Sequence, residues 1–194
     1  MAAAVPVLAP KYPTEKSLVS GFFKIQSVID TSLLASRLML NCPLLKRGFN
    51  SGWIKVMGQL SRNADVNIAN ELVNYPGSHY ADPVFSWKNS VAVTDIEFMK
   101  SSALGQKYKN NIFVGDYNNG NLYYFEVNNT RTGIKPQAGL SALVVDNDDQ
   151  LSAVRFGTGF GAISDIKTGP KDGLLYVLSI NDGTIYKIVP SSTK

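Results

Sequence analysis

The chain of 194 residues carries one histidine, His79, and one cysteine, Cys42, and these two counts bound its chemistry. A lone imidazole excludes any mechanism that pairs two histidines, and nothing around His79 suggests an activated serine with which to build a Ser-His-Asp arrangement. A single thiol excludes an intrachain disulfide framework and a cysteine-built zinc site, so Cys42 reads as a small apolar residue. Asp146-Asn147-Asp148-Asp149 opens like a calcium loop, with carboxylates at alternate positions. It lacks the glycine at position six and the glutamate at position twelve of an EF-hand, so a solvated turn is expected. Gly157-Thr158-Gly159-Phe160-Gly161 is glycine-rich, but neither a helix pattern nor Lys-Ser/Thr follows, which argues against phosphate binding. Asn128-Asn129-Thr130 is a glycosylation sequon on a turn, meaningful only in an exported protein.

The elements that position such residues fall into two stretches. From Lys16 to about Leu40, the apolar residues Leu18, Val19, Phe22, Phe23, Ile25, Ile29, Leu33 and Leu34 recur at three and four, which predicts an amphipathic helix. After Gly48 the pattern changes to short runs of Val, Ile, Tyr and Phe between Asn, Asp and Gly clusters, the grammar of strands and tight turns. Strands are predicted at 91–98, 112–116, 122–127, 143–146, 162–167, 174–178 and 184–189. A 44% hydrophobic and 18% charged composition suffices for a buried core. The net charge of +4 is scattered along the chain, so the footprint of a nucleic-acid binder is missing. No window approaches a membrane span, and Met1 is followed by Ala and Pro without the basic region of a secretory signal.

The β region repeats itself. Ile112 to Tyr123, reading IFVGDYNNGNLY, lies without a gap over Leu175 to Tyr186, reading LYVLSINDGTIY. Upstream of each copy stands a second match, Val93-Thr94-Asp95-Ile96 and Ile163-Ser164-Asp165-Ile166. Each unit is therefore strand, loop, strand, Asn/Asp-Gly turn, strand, with room for a fourth strand. Internal repetition of this kind fits propeller blades rather than a sandwich.

Four segments then carry a resemblance, in a fixed order: Gly48-Phe49-Asn50-Ser51-Gly52-Trp53, Tyr80-Ala81-Asp82-Pro83-Val84-Phe85-Ser86-Trp87, Val114 to Tyr123, and Ser164 to Pro170 with Gly173 to Leu178. Together they resemble the last blades of the glucose/sorbosone dehydrogenases, most closely the archaeal-type members, over about residues 48 to 190. The resemblance implies a six-bladed propeller whose enzymes oxidise aldoses with pyrroloquinoline quinone (PQQ), held with the help of calcium. It places the general base, a histidine, in an early blade. His79 sits before a late one, so a structural role is expected for it.

The resemblance also implies which positions should hold the cofactor. The calcium-binding Glu-Asn-Gly-Pro stretch corresponds to Met39 through Arg47, whose apolar residues supply no hard oxygen ligands. The lysine that anchors PQQ falls on Asn118 and the two arginines fall on Ala162 and Ser164, while the aspartate is kept as Asp165. Trp87 matches a tryptophan lining the cofactor pocket; the competing reading is an aromatic that fills the wedge between blades.

The expected fold is all-β, a partial β-propeller of about two C-terminal blades plus a remnant (residues 48–194), preceded by a divergent, partly helical segment (residues 1–47). The loss of resemblance at Arg47 suggests a truncated, frame-shifted or rearranged gene product. Two functions are expected: a dehydrogenase-like protein that binds neither PQQ nor calcium and is inactive, or a non-catalytic propeller module for binding. The resemblance implies a carbohydrate substrate and an extracytoplasmic location, and open strand edges imply self-association.

Overall fold

A computed structural model describes residues 2–7, 49–52, 55, 56, 58–63, 65, 67–89, 91–140 and 143–191. The predicted helix between Lys16 and Leu40, together with Cys42 and the Met39–Arg47 stretch, lies outside the described residues. The rest is all-β, a partial propeller whose one α-helix is the single turn α1 (Asp148–Leu151).

The repeat folds as two four-stranded sheets. The first takes the order β5 (Val93–Met99), β6 (Asn111–Asp116), β7 (Leu122–Phe125), β9 (Arg155–Gly157). The second runs β10 (Ile163–Thr168), β11 (Leu175–Ser179), β12 (Thr184–Pro190), β1 (Ala2–Val7). β5 and β10 carry the same irregularity: the antiparallel register slips between Val93 and Asp95 in one and between Ile163 and Asp165 in the other. The residue bulged out is Thr94 or Ser164, and its hydroxyl oxygen lies 3.5 or 3.4 Å from the carbonyl oxygen of Gly115 or Leu178. A bulge kept at matching positions ties the sequence repeat to a structural one.

The turns differ from expectation in one respect. Gly120 and Gly183 adopt φ of +61° and +58°, but Asn119 and Asp182 do not share the left-handed region. A two-residue primed hairpin is therefore not formed. A longer turn closes each hairpin, with the glycine near its end.

Within these two sheets, two strands came from places the sequence pattern did not mark. β9 has three residues, and β1 reads Ala-Ala-Ala-Val-Pro-Val, poor in the branched and aromatic types that signal strands. β1 pairs antiparallel with β12 from Ala2↔Pro190 to Val7↔Ile185, as an edge strand, where the absent N–H of Pro6 is tolerated.

The described residues divide into two compact units. The first holds β1, Val93–Tyr124 and the chain from Phe156 onward. Its core joins Met99, Phe113 and Leu122 of the first sheet to Ile163, Ile166, Leu175, Val177 and Ile188 of the second. Burying each such side chain contributes roughly 1.5–3 kcal/mol. The second unit holds the described residues of 49–92 and Phe125–Arg155. Its strands are short parallel pairs, β2 (Phe49–Asn50) with β3 (His79–Tyr80) and β4 (Ser86–Trp87) with β8 (Val144–Val145).

Candidate functional site

The first chemistry-bearing cluster lies along the bulged strands β5 and β10. Asp95 Oδ2 accepts from Lys167 Nζ at 2.8 Å and from the backbone N–H of Ile166 at 2.8 Å. Asp165 lies 3.1 Å from the same ammonium. Thr94 donates to the Ile163 carbonyl at 2.6 Å, and Glu97 accepts from both the N–H and the hydroxyl of Thr168. Side chains of one strand thus satisfy backbone groups of the other, where no ladder hydrogen bonds are available.

The two aspartates sit at matching positions of the repeat and titrate apart. Burial pushes the Asp95 carboxyl up, but hydrogen bonds from the Asp165 and Lys167 side chains and the Ile166 N–H outweigh it and hold it below the ordinary range. Burial raises the Asp165 carboxyl, and the neighbouring Asp95 raises it further. The Lys167 ammonium is itself desolvated, yet its two carboxylate partners hold its pKa above the usual value. The cluster therefore holds one shared cation between two carboxyl groups.

The three positions assigned to cofactor cations lie apart in character. Asn118 is exposed on the β6–β7 turn and lends its backbone N–H to Asp116. Ala162 is buried at 2% exposure, and its carbonyl accepts from Ile180 N–H at 2.9 Å. Ser164 is the bulge residue of β10, its hydroxyl turned to the Leu178 carbonyl. None of these side chains can offer a charged donor to a tricarboxylate, and the adjacent cation, Lys167, is held by Asp95 and Asp165. The residues present do not fit PQQ at these positions.

Trp87 lies in the second unit. It is 1% exposed and stacks edge-on against Phe85 and Phe125, with ring centroids 4.8 and 6.1 Å away, while Phe85 and Phe125 meet at 4.7 Å. That aromatic knot leaves no indole face open to a planar ligand. His79, half-buried, is a residue of β3 and pairs through its backbone with Phe49.

The remaining motifs have structural uses. Asn147 caps α1, its side chain accepting from Gln150 N–H at 3.0 Å, while Gln150 Oε1 accepts from Asp146 N–H at 2.8 Å. The Asp146 carboxylate meets Arg62. Among the described residues, no group of three or more His, Cys, Asp or Glu converges as a metal site would require. In the glycine-rich loop, Gly161 lies so close to the turn of the first repeat that a Cβ on Gly120 would fall 2.5 Å from its carbonyl oxygen. Asn128, within the sequon, accepts from Thr130 and Thr132 at 3.0 and 2.9 Å and is half-buried.

Residues 40–187 match the family described as glucose/sorbosone dehydrogenase, and the chain belongs to that family. Among solved structures, it is similar to the soluble aldose sugar dehydrogenase of Escherichia coli in its apo form. The identity is 22% and the TM-score 0.45, over 74% of this chain and 35% of the other. A proposed oxidoreductase (glucose dehydrogenase) from Thermus thermophilus is 18% identical, with a TM-score of 0.45, over 73% of this chain and 34% of the other. The chain thus spans about a third of the length of these solved chains. No curated protein matches it.

Sequence reasoning named Asp165 but missed its partners. The signal was present: Val-Thr-Asp-Ile and Ile-Ser-Asp-Ile place Asp95 and Asp165 at the same register, and Lys167 two residues later reaches both.

Proposed function

We propose that this chain is a glucose/sorbosone dehydrogenase-like propeller piece that does not carry out the aldose oxidation of the family, because it cannot hold PQQ. The observation that carries this reading is the replacement of three cationic anchors by exposed Asn118, buried Ala162 and bulged Ser164. Each absent charge-assisted contact weakens cofactor binding by roughly 1.5–3 kcal/mol. The buried Trp87 supports the same reading, since its ring is engaged by Phe85 and Phe125. Under this reading residues 48–194 carry the family's blades, and the divergent segment of residues 1–47 adds the edge strand β1 to the second sheet. Calcium has no dedicated role, any sugar is bound without being oxidised, and the location is extracytoplasmic as is typical of the family. The test is to add PQQ and calcium to the purified chain, titrate PQQ by its absorbance, and assay dye-linked oxidation of glucose and other aldoses. The expected result is no saturable PQQ binding and no oxidation; aldose-dependent dye reduction would overturn the proposal.

A further inference from the structure

We propose that the cleft beside β4 and β8 is a binding site for a small hydroxylated carboxylate. It measures about 210 Å³ and is lined by Gln59, Arg62, Ser86, Lys88, Val144 and Asp146. That is below the roughly 300–1,000 Å³ of sites for drug-sized ligands, so the occupant is smaller than those. Its walls are fixed by backbone bonds: Ser86 N–H donates to Leu143 O at 3.1 Å and Lys88 N–H to Val145 O at 2.8 Å. On the other side the turn carrying Arg62 is held by Leu60 N–H donating to Asp82 at 2.7 Å, and Asp82 in turn accepts from the Tyr80 hydroxyl at 2.6 Å.

The donor set selects the ligand. Arg62 Nη2 pairs with Asp146 Oδ1, so the guanidinium keeps further N–H donors and the carboxylate keeps its second oxygen. Adjacent donor and acceptor groups of this kind suit hydroxyls, which both give and take a hydrogen bond. The Gln59 amide and the Ser86 hydroxyl, on a residue only 2% exposed, add two more such partners. Lys88 stands in no ion pair among the described residues, and the cleft therefore holds one cation in excess. One unbalanced cation calls for one anion, a carboxylate, and Val144 offers an apolar wall to its carbon skeleton. This inference does not rest on the proposed loss of PQQ binding, because the lining residues lie outside the positions considered there.

The experiment titrates the full chain with D-glycerate, glycerol and propionate while following ¹H-¹⁵N resonances. Glycerate is expected to saturate, with shifts confined to the lining residues; glycerol, without the charge, and propionate, without the hydroxyls, bind at least about tenfold more weakly. Lys88→Gln, at an exposed position, is expected to lower glycerate affinity about tenfold or more with an unchanged thermal melt. Wild-type affinity should fall as salt rises, a readout that needs no variant. No saturable shift at millimolar glycerate, propionate binding as tight as glycerate, or an affinity indifferent to both salt and Lys88→Gln would overturn the proposal.

Discussion

The two repeats set equivalent residues in unlike surroundings. In the first sheet Phe113, Gly115 and Leu122 face the second sheet, and Phe113 and Leu122 are fully buried there. Their counterparts in the second sheet are less covered: Tyr176 is half-buried, and Leu178 and Ile185 are each 38% exposed. Gly115 shows how tight the first seam is, since a Cβ there would fall 2.6 Å from Ile163. At the matching position the second copy carries a leucine, which could not enter a seam of that kind. It carries polar groups on the same face, with Lys187 paired to Asp172 at 2.7 Å and Tyr176 donating to Asp172 at 2.8 Å. One repeat thus uses the face for close packing and the other for solvent. A second contrast concerns the turn acid. In the first copy Asp116 is buried and accepts from the Tyr123 hydroxyl at 2.8 Å; in the second, the acid has moved to Asp182, which is exposed and accepts from Tyr186 at 3.0 Å.

The largest test of that asymmetry is truncation of the paired aromatics. Phe113→Ala should lower unfolding free energy in urea by about 3–5 kcal/mol, against about 1 kcal/mol or less for Tyr176→Ala. Equal losses would mean that both faces are covered. Next in size is removal of the tyrosine hydroxyls. Tyr123→Phe strips a donor from buried Asp116 and should cost about 1–3 kcal/mol, while Tyr186→Phe beside exposed Asp182 should stay within about 0.5 kcal/mol.

The smallest effect is in acid. Hydrogen bonds from Lys187, then Tyr176, hold the Asp172 carboxyl down at about 2. A depressed folded pKa contributes stability above the ordinary carboxylate value and loses it as pH falls through the folded one. Its share should therefore vanish between about pH 4 and pH 2, and Asp172→Asn should flatten the urea midpoint across that window. Asp116 acts in the opposite sense. Burial raises its carboxyl despite hydrogen bonds from Asn119 and Tyr123, so its share is present in acid and lost as pH rises through the raised value.

Much of this fold was legible in the sequence. The β runs, the duplicated turn with its glycine, and the family all follow from residues that repeat or alternate. Short strands such as β4 and β9 were not, because two or three residues cannot establish a period. β1 escaped for a different reason: alanines and a proline carry no strand signal, and only the waiting edge of β12 makes them one. The aspartates of the β5–β10 seam were visible as a motif, but their sharing of Lys167 depends on two bulges that bring distant residues together. The cleft residues Arg62 and Asp146 are further apart still, and no local pattern links Leu60–Arg62 to the segment after β8.

The pairing of β1 with β12 joins the earliest and latest described strands of the chain. During synthesis Ala2–Val7 leaves the ribosome long before Thr184–Pro190 exists, so this ladder can form only once that later strand has been made. Closing so long a loop carries a high entropic cost and raises contact order, which slows folding. The edge of β12 is then the last part of the sheet to be sealed, and until that moment it is an open template for pairing with a neighbour on a crowded polysome.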